Sequence, residues 1–235
     1  MKRHLIKYFA ALLLILAPVA SFGQKKVYTK KMKIEDFTTR TTKVVVSGES
    51  LPDLSFRDEV SAIWNISAYE FCTPADYEKL KENNQLYFLR LVTDGDLIYI
   101  SLSKGGKEKE SNTLKKPFEI VRIPVSTADM SDGRMITYMP AFVGLVQDFM
   151  EKALVNEVTA YAGPTALNSR ITKNEKVILA PAEEADAAFN EGRPGTLVAI
   201  VIGKYGMIFD AETQKLRHYT ANGKDLLRRY GESSE

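Results

Sequence analysis

The chain is poor in the side chains that carry most redox and metal chemistry: one cysteine, one tryptophan and two histidines among 235 residues. With Cys72 alone, no disulfide can close within the chain, so the fold must hold by its core. A His/Cys zinc site would need Cys72, His218 and added carboxylates, and no HExxH or CxxC spacing is present. His4 lies in the leader described below, so His218 is the sole histidine of the remaining chain and the only one open to a Ser-His-Asp triad. There is no GxSxG elbow to serve it. GxxxxGK[ST] and GxGxxG are also missing. The glycine-containing fragments Lys104-Gly105-Gly106-Lys107 and Gly223-Lys224 read as turns rather than phosphate cradles. No metal and no cofactor is expected.

Excess charge of one sign is also lacking. Lysine and arginine number 32 against 30 acids. Lys2, Arg3 and Lys7 supply three of the cations at the very start, so the rest of the chain carries one more acid than base. Such a balance gives no electrostatic footprint for nucleic acid. Long apolar runs are absent too. The longest, residues 9–20, falls well short of the ~20 residues that span a bilayer. It follows the basic Lys2, Arg3 and Lys7 and precedes Ser21-Phe22-Gly23, with small residues at the −3 and −1 positions of a cleavage site before Gln24. Residues 1–23 therefore read as a secretory signal peptide, and a periplasmic or secreted location is expected.

What remains is ordinary globular composition, 45% apolar and 26% charged. Residues 24–42 are Lys/Thr-rich and weakly periodic, a loose lead-in or an edge strand. Residues 43–47 form a β-branched strand. Ser55 is placed to cap a helix with Phe56, Val60, Ile63 and Trp64 on its apolar face. Residues 66–72 alternate as a strand. Thr73-Pro74 starts a helix running to about Glu82. Residues 86–92 and 97–102 are strands joined at Asp94-Gly95, a hairpin signal stronger than its partial likeness to a calcium loop. Residues 103–116 are a solvated loop and 118–125 another strand, with a second polar loop over 126–134.

Met139, Phe142, Val143, Val146, Phe149, Met150, Ala153 and Leu154 recur at helical steps and predict a long helix over about 137–154, with Pro140 in its first turn. Residues 155–175 read as a connection. Strands follow at 177–180, 197–202, 205–209 and 216–219, with a short helix over 183–190 and another over 225–230. The run 197–202 is apolar throughout, as a central strand should be. The alternation predicts an α/β fold with mixed sheets covered by helices: a first α/β half-domain over 24–135, a bridging helix over 136–154 and a second half-domain over 155–235.

Candidate chemistry is thin. Glu70 is the one weak catalytic candidate. Aromatic neighbours Tyr69 and Phe71 and the following Cys72 suggest partial burial and a raised pKa, the pattern of a carboxylate acid. Its plainer reading is a strand glutamate facing solvent. Cys72 reads as a small buried hydrophobe, with a nucleophile or an intermolecular disulfide as the alternatives, and His218 as an exposed strand residue. The basic loop of Lys104, Lys107, Lys109, Lys115 and Lys116, set against Glu108 and Glu110, suits anionic surfaces but more simply a solvated loop.

The stretches WNISAYEFC at 64–72, YFL at 87–89, IVRIPV at 120–125, MPAFVGLVQDF at 139–149 and IFDAETQKL at 208–216, with a leader ending in Phe-Gly-Gln, resemble secreted proteins of unknown function from Bacteroidetes-type bacteria, over most of residues 43–220. The strand-helix-strand order also resembles the α/β amino-terminal domain of TolB-like envelope proteins. These motifs are structural and transfer no catalytic residue.

The expectation is an exported, non-catalytic module that binds a partner protein or a component of the cell surface, with no nucleic acid and no transmembrane segment after the leader. Two alternatives stay open. One is a carboxylate-dependent envelope hydrolase built on Glu70. The other is a small-ligand or lipid-binding protein with an apolar pocket of a few hundred Å³ between the halves.

Overall fold

The computed structural model of the chain describes residues 29–106, 117–130 and 133–231. The signal-peptide reading of residues 1–23 and the greater part of the basic loop lie outside them.

Two mixed sheets flanked by helices make an α/β fold. Strands β1 (Thr41–Val45), β2 (Tyr69–Cys72), β3 (Leu86–Asp94), β4 (Leu97–Lys104) and β5 (Phe118–Thr127) form the first, in the order β2-β1-β3-β4-β5. The β2-β1-β3 pairs are parallel and the β3-β4-β5 pairs antiparallel. Strands β6 (Lys176–Ile178), β7 (Thr196–Ile202), β8 (Tyr205–Asp210) and β9 (Leu216–Thr220) form the second, again parallel at one edge (β6-β7) and antiparallel thereafter. β7 lies between β6 and β8 and is buried at almost every position, the central strand its unbroken apolar run predicts.

The helices are α1 (Lys30–Ile34), α2 (Leu51–Ile63), α3 (Pro74–Leu80), α4 (Arg134–Thr137), α5 (Met139–Val155), α6 (Glu157–Ala162), α7 (Ala182–Asn190) and α8 (Gly223–Tyr230). α5 is the long amphipathic helix. Met139, Phe142, Val143, Val146, Phe149, Met150 and Ala153 are all buried along one face. A single apolar cluster runs from Val44 and Leu89 of the first sheet through this face to Val198, Met207 and Phe209 of the second. Tyr138, just before α5, packs against Phe189 of α7 with ring centroids 4.4 Å apart. α8 covers the other face of the second sheet through Leu226, which packs with Leu197, Ala199 and Ile208.

The structure corrects several local expectations. The lead-in over 24–42 is neither loose nor an edge strand where it is described. Thr29 Oγ1 accepts from the Met32 N–H and caps α1, and a 3₁₀ turn follows at Phe37–Thr39. Ile34 and Phe37 are fully buried, and burying these two side chains outweighs weak local periodicity. α2 starts five residues early. Ser50, not Ser55, caps it, with Pro52 in the first turn and Asp53 donating its N–H to Ser50 Oγ. The connection over 155–175 contains α6, capped by the Asn156 side chain, and a 3₁₀ turn at Gly163–Leu167. α3 ends at Leu80 rather than Glu82, and β2 is confined to Tyr69–Cys72. The Asp94-Gly95 hairpin is present, with Gly95 at φ +58° and Asp94 paired to Leu97.

Candidate functional site

Because side chains alternate across a sheet, register decides which residues meet. In the first sheet, Cys72 pairs with Val45, Val45 with Arg90, Arg90 with Ser101 and Ser101 with Arg122. These five residues form one row across all five strands, on the face opposite the α2/α5 core. Lys43, Glu70, Phe88, Asp94, Tyr99 and Glu119 share that face.

α3 lies on this face, and the sequence places it firmly. Thr73 Oγ1 accepts from the Asp76 N–H at 3.1 Å while the Asp76 carboxylate accepts from Thr73, a complete capping box with Pro74 at the first helical position. Tyr77 is thereby pressed onto Phe88, ring centroids 5.1 Å apart, and with Val45 they form a small apolar cluster. The Arg90 guanidinium stacks on the Tyr77 ring at 4.5 Å. Gly105 and Gly106 then pass close to the end of α3. Gly106 donates its N–H to the Lys81 carbonyl at 3.1 Å, and a Cβ on Gly105 would stand 2.5 Å from the Asn83 carbonyl oxygen. The Gly-Gly pair thus serves a tight backbone approach.

Arg122 is the second arginine of the row and is heavily paired. It reaches Asp94 at 2.5 Å and Glu119 at 3.0 Å, and lies over the Tyr99 ring at 4.8 Å. The almost fully buried Ser101 hydroxyl donates to the same Glu119 oxygen at 3.0 Å. Partial burial opposes the Arg122 charge, but Asp94 and Glu119 more than offset it and hold the pKa above the usual value. Lys43 is ion-paired with Glu70.

Glu70 is therefore exposed and paired, not partly buried as its aromatic neighbours suggest, because alternation turns it away from Tyr69 and Phe71. Cys72 is half-buried, and burial pushes its thiol pKa up despite nearby Lys43. His218 is half-buried in β9, its pKa lowered by burial and by Arg229. Cys72 and Glu70 stand on adjacent rows of the same sheet, while His218 belongs to the other sheet. Among the described residues no cluster of three His, Cys, Asp or Glu side chains is placed to hold a metal ion.

A second polar cluster lies where the two sheets approach. Arg134 Nη2 donates to Asp186 Oδ1 at 2.6 Å, Tyr138 Oη to the same oxygen at 2.8 Å, and Arg134 Nε to both carboxylate oxygens. Burial and then the Asp186 carboxylate raise the Tyr138 pKa. Arg134 and Tyr138 line a cavity with Val125, Ser126, Phe142 and Ile200 that encloses only about 10 Å³, room for one water. A drug-sized ligand needs several hundred, so this junction is a seam and not the apolar ligand pocket sketched from the sequence. Among the described residues, two buried side-chain polar atoms have no partner: Ser126 Oγ, at this seam, and Arg90 Nε, in the row.

The sequence reading singled out none of Arg90, Arg122, Tyr77 and Tyr99. The signal for the two arginines was a cation inside an apolar run, Arg90 within residues 86–92 and Arg122 within residues 120–125. Compared with known proteins, the chain matches no family model, no curated protein and no solved structure.

Proposed function

We propose that the chain is an exported envelope protein that works as a non-catalytic binding module, docking a partner protein on the α3 side of the five-stranded sheet. The observation that carries this reading is a pair of arginine–tyrosine stacks whose arginines share one sheet row, Arg90 on Tyr77 of α3 and Arg122 on Tyr99 of β4. Arginine is enriched among the residues that dominate protein interfaces, and here the buried rings of Tyr77 and Tyr99 form the floor on which the two half-buried guanidiniums are held. Here stacking fixes both guanidiniums, and ion pairs with Asp94 and Glu119 also fix that of Arg122, before any partner arrives, which lowers the entropy lost on docking. Export is supported by the basic, apolar and small-residue order of residues 1–23. The hydrolase alternative loses its support at Glu70, whose exposure and pairing with Lys43 remove the burial that reading requires.

The test is affinity capture from the native envelope fraction with the tagged full chain, read by mass spectrometry. The wild type is expected to retain one stoichiometric partner and to show a mature mass beginning at Gln24. Arg122→Glu should lose the partner, while Arg229→Glu, on the far helix α8, should keep it. Equal capture by both variants would move the interface elsewhere. No partner at all would overturn the module reading.

A further inference from the structure

We propose that Arg90 is a carboxylate anchor: it takes an acidic side chain of the polypeptide that docks on this face. The inference rests on the docking reading and gives it a chemistry.

The neighbouring cations on this face all carry carboxylate partners. Lys43 is held by Glu70, Arg122 by Asp94 and Glu119, Lys79 by Asp76 and Lys81 by Glu78. The Arg90 side chain has neither an ion pair nor a hydrogen bond among the described residues. Its guanidinium lies over the Tyr77 ring, and its Nε is buried without a partner there. It stands on β3, the middle strand of the five. A buried donor left unmade is costly, and evolution normally closes such gaps with a neighbour or a ligand. Stacking fixes the guanidinium plane, and a planar fork of N–H donors matches the two oxygens of a carboxylate.

The surroundings choose among anions. One unpaired positive charge faces Ser101, with Glu119 and Asp94 beyond it around Arg122. A single carboxylate balances that charge. A phosphate dianion would add a second negative charge facing two carboxylates. Tyr77 and Val45 beside Arg90 are almost wholly buried and form the apolar floor that holds the guanidinium toward the open side of the face, where an acidic side chain of a polypeptide can meet it.

The experiment titrates the full chain with four probes and follows the Arg90 Nε–H resonance, assigned by its loss in Arg90→Lys. The probes are a capped hexapeptide of alternating glycine and glutamate, its glutamine counterpart, inorganic phosphate and glucuronate. The glutamate peptide should shift the resonance saturably in the millimolar range, the glutamine peptide should not, and phosphate and glucuronate should bind more weakly. Arg90→Gln should weaken the glutamate peptide on the order of tenfold, with partial recovery in Arg90→Lys. Equal shifts from the glutamine peptide, tighter binding of phosphate or glucuronate, or unchanged binding by Arg90→Gln would each overturn the assignment. If Arg90→Gln does not fold, the wild-type titration alone decides. Capture lost in Arg122→Glu with no peptide response at Arg90 would leave the docking surface standing without its anchor. A peptide response with no captured partner would leave the anchor without the proposed surface.

Discussion

Tyr138 donates its hydroxyl to Asp186 at 2.8 Å and so ties the start of the long helix to α7, with Arg134 bonded to the same carboxylate oxygen. The pair joins residues that lie on either side of α5 in the chain. Removing Asp186 leaves a largely buried guanidinium without its main partner. Asp186→Ala should therefore cost about 3 kcal/mol, as expected when one side of a buried pair is lost. Tyr138→Phe should cost less, about 1–2 kcal/mol, since it deletes the hydroxyl's two hydrogen bonds, to Asp186 and from Arg134, and keeps the ring packing. Urea denaturation of both variants checks the order, and equal losses would refute it.

Phe149 is fully buried on the core face of α5. Phe149→Asp places a carboxylate there without a partner, and the expected loss of more than about 4 kcal/mol is enough to unfold a domain of ordinary stability. Phe149→Leu should cost about 1–2 kcal/mol. A circular-dichroism melt reads both. If the aspartate variant melts like the parent, the helix-over-sheet packing is wrong.

Asp36 fastens the α1 segment to the first sheet. It accepts from Lys104 at 2.7 Å, from Tyr87 at 2.5 Å and from Arg40 at 3.2 Å. Burial alone would raise its pKa, but these donors together lower it below the usual carboxylate value. A depressed folded pKa means the stabilisation is complete above the unfolded value of about 3.9 and is lost as pH falls through the lower folded one. Stability measured from pH 6 to pH 2 should show this acid loss, and Asp36→Asn should flatten that limb. Parallel curves for the two proteins would remove Asp36 from the account.

Cys72 should be a slow nucleophile. Burial raises its pKa, so less thiolate is present near neutrality. Alkylation by iodoacetamide at pH 8 should run several-fold slower in the folded chain than in the urea-unfolded chain, with the rate still climbing above pH 9. A folded rate matching the unfolded one would mark an activated thiol.

The local signals that proved readable were those whose physics is complete within a few residues. Thr73-Pro74 carries its cap and its first-turn proline side by side. Asp94-Gly95 supplies the positive φ its hairpin needs. The spacing from Met139 to Ala153 defines one helix face without reference to anything else. α1 and α6 escaped notice because five and six residues are too few to show a period, and tertiary burial holds them.

By itself, then, the sequence determined the α/β class, the long helix, the hairpins and the neutral, cysteine-poor character that excludes a disulfide within the chain. Only the tertiary structure decided that Cys72, Val45, Arg90, Ser101 and Arg122 share a row, that Glu70 turns outward to Lys43, and that Arg90 is left without a carboxylate. The reason is strand register. A helix repeats its neighbours every three or four residues, but this sheet row is drawn from segments as far apart in the chain as Val45 and Arg122. A one-residue slip would turn every one of those side chains to the opposite face. That choice is made by packing the core face against α2 and α5, and no window of local sequence contains it.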